Sequence, residues 1–131
     1  MTKEQMNYSK HAVHKITYHF VWIPKRRKKV LVGDVSKRLK EIYEQVAIDN
    51  GWIILELAIQ PDHLHLFVEA TPREAPYQIV KAFKGASSRI LRSEFPHLLK
   101  LPSLWTHSYF VRTAGHVSAE TIKRYSQEQS S

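Results

Sequence analysis

Hydrophobic residues recur along the chain with two different periods, which divide it into strands and helices. Four segments are rich in β-branched, aromatic or alternating apolar residues, and turn residues bound them, a pattern typical of strands. In one of them Leu64, Leu66 and Val68 occupy alternate positions and therefore share one face. These strands are predicted over residues 14–23, 52–59, 63–70 and 104–113.

Apolar residues spaced at helical intervals fill the gaps between these strands. One stripe predicts a helix that begins near Asp34 or Ser36, either of which is a suitable N-cap, and ends at Asn50 before Gly51. A second stripe predicts a helix over residues 77–93. The two stripes consist of Leu39, Ile42, Tyr43, Val46 and Ala47, and of Ile79, Phe83, Ala86 and Ile90.

The order of the elements is strand, helix, strand, strand, helix, strand, with a short helix after them. The first six form the split βαβ pattern of a ferredoxin-like α+β fold. Right-handed crossovers place the first and third strands in the middle of a four-stranded antiparallel sheet, with both main helices on one face. The terminal helix or a partner subunit would cover the other face. With 131 residues, of which 43% are hydrophobic, the chain is predicted to form one domain over residues 1–131.

The charge balance predicts a polyanionic partner. The formal net charge is +8, and five consecutive basic residues follow Pro24 at the end of the first strand. Nucleic acid fits better than a membrane, because no basic amphipathic helix accompanies this cluster. For this cluster, and for the basic residues along the second predicted helix, the alternative is a solvated surface without a partner. The candidate DNA contacts are Lys25, Arg26 and Arg27 in the cluster, and Lys81, Lys84, Ser87, Ser88, Arg89 and Arg92 along the second helix.

Several features that the sequence lacks narrow the choice of function. There is no cysteine, which excludes disulfides and thiolate metal sites and fits a reducing compartment. No apolar run approaches the ~20 residues of a membrane span, and no signal-peptide core is present, so a cytoplasmic protein is expected. No glycine-rich phosphate-binding motif occurs, so no nucleotide cofactor is expected.

His63 and His65 form the first half of a candidate metal site. Because they are two residues apart on a predicted strand, their imidazoles point to the same face. The alternative is a pair of surface histidines. Asp62 and His19 are candidates for orienting these imidazoles, although a turn aspartate and a packed sheet histidine are equally ordinary interpretations.

The C-terminal segment supplies the second half of the candidate site. A helix is predicted over residues 118–129, with Ser118 as its N-cap, and Tyr125 and Gln129 share one face because they are four residues apart. A phenolic oxygen is a possible nucleophile, and an amide oxygen is a possible metal ligand. A fraying terminal helix is the alternative. The tyrosines inside predicted elements, Tyr18, Tyr43, Tyr77 and Tyr109, are predicted to be packing residues.

These motifs and their order resemble the small HUH-type single-tyrosine transposases of bacterial and archaeal insertion sequences (the TnpA type). The resemblance is carried by residues 18–25, 61–65, 83–85 and 105–111, followed by the Tyr-x-x-x-Gln helix. It implies an enzyme that cleaves and rejoins single-stranded DNA at insertion-sequence ends through a 5′-phosphotyrosine intermediate. Tyr125 would be the nucleophile, and His63, His65 and Gln129 would bind a divalent metal ion, Mg²⁺ or Mn²⁺. The resemblance also implies a homodimer that recognises DNA hairpins.

Three other functions remain open at the level of sequence. A domesticated, repeat-associated tyrosine nuclease would have the same site without self-mobilisation. A noncatalytic ferredoxin-like nucleic-acid-binding module would stack bases on an aromatic sheet, and its two histidines would be incidental. A metal-dependent phosphodiesterase would hydrolyse DNA without a covalent adduct and would tolerate the loss of Tyr125.

Overall fold

A four-stranded antiparallel sheet carries two helices on one face, as the computed structural model shows for the part of the chain that it describes, residues 15–113. The strand order is β2-β3-β1-β4, so the histidine strand is central, and the predicted ferredoxin-like α+β fold is confirmed. The elements are β1 (Ile16–Trp22), α1 (Gly33–Asn50), β2 (Ile53–Gln60), β3 (His63–Ala70), α2 (Pro76–Glu94) and β4 (Phe110–Thr113). Neither of these two helices is long and apolar enough to cross a membrane.

The pairing of β1 with β3 determines which side chains share a face. His19 pairs with Phe67, and Val21 pairs with His65. Since side chains alternate along a strand, these residues lie on the face opposite Phe20, Leu64 and Leu66, which are fully buried against the helices. The sheet therefore has an apolar face under the helices and a histidine-bearing face on its other side.

Helix α1 packs its predicted stripe into the core but begins in a different way. Its C-cap is Gly51, whose φ of 72° is left-handed and whose N–H bonds to the last turn. The predicted side-chain cap is wrong, because neither Asp34 nor Ser36 caps the helix. It begins at Gly33 after an extended Val32, and Gly33 adopts the positive φ of 57° that this turn requires.

Helix α2 begins at Pro76, where proline is favoured because it has no N–H to satisfy. The Gln78 side chain accepts a 2.8 Å hydrogen bond from the Ala75 N–H, which closes the first turn. Ile79 and Phe83 are fully buried on its inner face. Tyr77 is 60% exposed, so the prediction that it is a packing residue is wrong.

The fourth predicted strand is interrupted. Only Phe110–Thr113 pairs regularly with β1, whereas Trp105 forms an isolated bridge with Pro24. The bridge lies in a different register from β4, since Val21 pairs with Phe110 whereas Pro24 pairs with Trp105. The ammonium of Lys84 holds the intervening segment, because Nζ donates to the carbonyls of Thr106 (2.6 Å) and Ser108 (3.1 Å).

A polar network connects β1, both helices and the segment before β4 inside the core. Trp22 Nε1 donates to the Tyr43 hydroxyl (3.2 Å), which lies 3.2 Å from Ser87 Oγ. Ser87 Oγ also accepts from Trp105 Nε1 (2.9 Å) and donates to the Phe83 carbonyl (2.7 Å). Ser87 is fully buried, which corrects the expectation that it contacts DNA. Every donor of the network has an acceptor, as a buried network requires.

Candidate functional site

His63 and His65 project from β3 onto the histidine-bearing face, as predicted. Their ring centroids are 5.4 Å apart, with the rings nearly perpendicular. His65 is buried, whereas the His63 side chain is 21% exposed at the start of the strand. Because β3 is flanked by β1 and β2, the backbone under both imidazoles is fixed on two sides.

The imidazole of His63 is oriented by Asp62. Its Nδ1 lies 2.8 Å from Asp62 Oδ1, while Asp62 Oδ2 accepts a 3.1 Å hydrogen bond from Arg27 Nε. The hydrogen bond with His63, followed by the contact with Arg27, lowers the pKa of the Asp62 carboxyl, which is ionised at neutral pH. An ionised carboxylate only accepts hydrogen bonds, so His63 Nδ1 carries a hydrogen and Nε2 is the ring nitrogen left for a ligand.

The imidazole of His65 is in contact with His19. His65 Nδ1 lies 3.0 Å from His19 Nε2 across the β1–β3 pair. His19 is 1% exposed and stacks on Phe67, with centroids 4.2 Å apart and rings 3° from parallel. Burial, then the charges of His65 and Arg112, lowers the pKa of His19 to about 4. His19 is therefore neutral at pH 7, and one hydrogen lies between the two nitrogens.

The donor set of these histidines fits a divalent metal ion. Both Nδ1 atoms are engaged, and neither Nε2 atom has a protein hydrogen-bond partner among residues 15–113. Neutral imidazole suits manganese better than magnesium, and carboxylate or imidazole partners behind the ligands are the usual support of such sites. Within the same residues, no group of three or more histidine, cysteine or acidic side chains could hold a metal ion, so an ion bound by the two histidines would need a further ligand from elsewhere. Gln129, the predicted third ligand, and Tyr125, the predicted nucleophile, lie outside the described residues.

The basic cluster after β1 lies beside His63. Lys25–Arg27 forms a short 3-10 turn, in which Arg26 and Arg27 have left-handed φ values of 58° and 53°. Such a conformation costs about 1–2 kcal/mol for each non-glycine residue. The ion pair of Arg27 with Asp62 and the hydrogen bond from the Lys25 N–H to the Leu104 carbonyl (2.8 Å) hold it in place. Arg26 and Arg27 are exposed, so this turn presents positive charge next to the histidine pair.

The predicted basic flank of α2 lies on the other side of the sheet. The prediction that Lys84 contacts DNA is corrected, because its ammonium donates to two backbone carbonyls. The ammonium also lies 6.0 Å from the centroid of the Trp22 ring and 5.7 Å from that of the Tyr109 ring. Burial lowers the pKa of Lys84 to about 8. Arg92 is also engaged, because Nη2 donates to the Leu101 carbonyl (2.9 Å). Both side chains stabilise the fold around the segment that precedes β4.

The remaining residues of that flank stay predictions as DNA contacts. Lys81 and Arg89 are exposed and Ser88 is half-buried, on the helix that packs against the apolar face of the sheet. Arg89 lines a groove between α1 and α2. The sheet separates these residues from the histidines, so the basic flank and the histidine pair do not form one site.

Sequence reasoning missed two side chains of the histidine-bearing face. Phe110 pairs with Val21 in the β1–β4 register and is 53% exposed, with its ring centroid 6.0 Å from that of His19. Arg112 pairs with His19. The alternation of Phe110 and Arg112 along the last strand is the signal for both, once β1 is known to be the neighbouring strand.

Comparison with known proteins identifies a family that covers nearly the whole chain. Residues 12–129 match the family model described as IS200-like transposase. The chain is 35% identical over 128 residues to the ISDra2 transposase TnpA of Deinococcus radiodurans, covering 95% of this chain and 91% of that protein. It is 28% identical over 115 residues to the transposase for insertion sequence element IS200 of Salmonella typhimurium, covering 86% and 75%.

Solved structures show the same fold. A crystal structure from Deinococcus radiodurans, of a protein assigned as a transposase, superimposes with a TM-score of 0.71 and 40% identity, over 88% of this chain and 91% of that chain. A REP-associated tyrosine transposase, solved with a REP hairpin bound, superimposes with a TM-score of 0.57 over 84% of this chain and 61% of that chain. Its identity is 14%, so that likeness concerns the fold alone.

Proposed function

This chain belongs to the IS200-like transposase family, and we propose that it cleaves and rejoins single-stranded DNA at the ends of an insertion sequence through a covalent tyrosine intermediate. Tyr125 is the proposed nucleophile, and His63, His65 and Gln129 are the proposed ligands of a divalent metal ion. Membership of the family implies DNA cleavage, whereas the nucleophile and the use of a metal are the parts that need a test.

The observation that carries this proposal is that each of the two histidines has a partner at its Nδ1 atom. Asp62 engages Nδ1 of His63 and His19 engages Nδ1 of His65, which leaves an Nε2 atom of each ring for a ligand. Incidental surface histidines would be exposed, whereas His65 is buried and both rings are held by a partner. The noncatalytic binding module therefore explains less of this face than a metal site does.

The proposed reaction is a transesterification. The phenolic oxygen of Tyr125 attacks the phosphorus, the bond from phosphorus to the 3′ oxygen breaks, and the departing oxygen takes a proton to become a 3′-hydroxyl. The 5′ phosphate stays on the tyrosine, and a later attack by a 3′-hydroxyl reverses the step without a nucleotide cofactor. A phenol with the ordinary tyrosine pKa of about 10 is a weak nucleophile at neutral pH. When bound, Mn²⁺ or Mg²⁺ supplies Lewis acidity at a non-bridging phosphate oxygen.

We propose DNA hairpins as the substrate and a homodimer as the acting unit. The REP-bound relative supports the first suggestion, because that protein was solved on a hairpin. For the second, β4 is the edge strand of the sheet formed by residues 15–113, and its residues Phe110–Thr113 include a single charge, a composition that permits pairing with a second copy. Sedimentation equilibrium that finds only monomer with and without DNA would remove the dimer.

The proposed function is tested by trapping the covalent intermediate. The full chain is mixed with end-labelled single-stranded hairpin DNAs from the ends of its own element and Mn²⁺, and the products are separated on a denaturing gel. We expect a labelled band at the mass of the protein, which is lost with chelator and with Tyr125→Phe.

The matched controls are Tyr8→Phe and Tyr77→Phe, which remove other phenols and should keep the adduct. Cleavage without an adduct that survives Tyr125→Phe would indicate a hydrolytic phosphodiesterase. Hairpin binding without cleavage, on the authentic element ends, would indicate a binding module. An adduct without strand transfer would favour the domesticated, repeat-associated branch of the family.

The basic cluster makes a separate prediction about affinity. Arg26→Gln removes a charge that lies beside the histidine pair, so we expect weaker binding of single-stranded DNA. The slope of log K against log salt should become shallower by about 0.7 for one lost phosphate contact. Lys37→Gln, which removes an exposed charge from α1 on the other side of the sheet, is the control and should leave the slope unchanged. Equal slopes for both variants would contradict a phosphate contact at Arg26.

A further inference from the structure

We propose that His19 is a positioning residue that fixes which nitrogen of His65 faces the metal ion. This inference rests on the metal site of the proposed function. The two rings are joined by the 3.0 Å contact between His65 Nδ1 and His19 Nε2. His19 would thus do for His65 what Asp62 does for His63.

The position of one hydrogen decides whether His65 can bind a metal. If His65 Nδ1 donates to His19 Nε2, the lone pair of His65 Nε2 is free for a ligand. If His19 donates instead, His65 is in the opposite tautomer, and a hydrogen occupies the atom that should bind the metal. Metal binding at Nε2 and the contact with His19 are compatible only in the first arrangement, so His19 must be the acceptor.

The surroundings of His19 suit an acceptor that does not move. Its ring is 1% exposed and lies flat on Phe67, at 4.2 Å and 3° from parallel. His19 and His65 lie on the adjacent antiparallel strands β1 and β3. His65 pairs in register with Val21, which is two residues from His19 on the same face of β1. Since both backbones belong to the sheet, the acceptor is in place before a metal arrives, and the ring of His65 does not have to be ordered on binding.

The two proposed ligands therefore have acceptors of different strength. His63 donates to an ionised carboxylate that also binds Arg27 at the edge of the basic cluster. His65 donates to a buried imidazole. A carboxylate acceptor increases the basicity of its histidine more than a neutral ring does, so His19 should act mainly through tautomer and ring orientation.

Two substitutions separate the acceptor from the packing. His19→Phe keeps an aromatic ring on Phe67 but has no acceptor. His19→Gln places an amide oxygen at about the distance from the backbone at which Nε2 lies, so it can restore the hydrogen bond. The first readout is the tautomer of His65 in the metal-free wild-type protein, from two-bond ¹⁵N–¹H correlation spectra. The second is the affinity for Mn²⁺ in the absence of DNA, by calorimetry.

We expect the Nδ1–H tautomer of His65 in the wild-type protein, a loss of about 10- to 100-fold in Mn²⁺ affinity for His19→Phe, and recovery of most of that loss in His19→Gln. Hairpin binding in chelator should be the same for all three proteins. An Nε2–H tautomer in the wild-type protein would overturn the inference even if His19→Phe does not fold, and so would a folded His19→Phe with wild-type Mn²⁺ affinity.

Failure of this inference and failure of the proposed function give different results. His63→Ala and His65→Ala are measured in the same Mn²⁺ titration. If both bind Mn²⁺ like the wild type, the proposed metal site is absent and the proposed function fails. If both lose Mn²⁺ while His19→Phe does not, the metal site stands and only the role of His19 is refuted.

Discussion

We expect His63→Ala to abolish strand cleavage while hairpin binding and the fold persist. His63 is the more exposed of the two proposed ligands, and its Nε2 atom has no protein partner within residues 15–113. Removing it would leave His65 as the single proposed histidine ligand on β3, so a divalent ion would be held loosely and would supply little Lewis acidity. We expect the single-turnover cleavage rate at fixed Mn²⁺ to fall on the order of a thousandfold, since electrostatic groups of this kind contribute about 10²–10³ each.

The control for this variant is His97→Ala, which removes an exposed imidazole from the 3-10 helix after α2 and should cleave like the wild type. Circular dichroism and hairpin affinity in chelator establish that His63→Ala is folded. His63 is not part of the buried core, so its loss should cost little stability. Cleavage by His63→Ala at the wild-type rate would eliminate the metal assignment, whatever happens to the tyrosine.

The sequence predicts which side chains of β3 share a face because the alternation of side chains along a strand determines it. Alternation along β3 places Leu64 and Leu66 in the core and His63 and His65 on the other face, whatever the neighbouring strands are. The identity of the atoms that bind a ligand could not be predicted in that way. It depends on the register of β1 against β3, which brings His19 to His65, and on the turn geometry that brings Arg27 to Asp62. Both are long-range contacts that a local pattern does not contain.

The basic flank of α2 shows where a local pattern misleads. The sequence groups Lys84, Ser87 and Arg92 because they are polar and close together on a predicted helix, but a helical face is identified only by what packs on it. The segment before β4 covers this part of α2, and its carbonyls take up Lys84 and Arg92. The sequence predicts a strand for this segment, but an isolated Pro24–Trp105 bridge takes the place of regular pairing before β4, which leaves backbone carbonyls for these side chains.

Ser87→Ala has the largest effect that we expect on stability. Its hydroxyl accepts hydrogen bonds from Trp105 Nε1 and the Tyr43 hydroxyl, and the site is fully buried. Alanine leaves two buried donors without their acceptor, and each such group costs about 1–3 kcal/mol. We therefore expect the free energy of unfolding to fall by about 3 kcal/mol, a large part of the roughly 5–15 kcal/mol available to a domain.

Ser88→Ala is the matched control, because it makes the same chemical change one residue further along α2. Helix propensity changes equally in both variants, so the difference between their urea midpoints isolates the buried network, provided that the m-value is constant. Ser88 lies on the half-buried flank, and its variant should be as stable as the wild type or slightly more so. If the two variants unfold at the same urea concentration, the hydroxyl of Ser87 does not stabilise the fold. The junction between β1, the two helices and the segment before β4 would then depend on apolar packing alone.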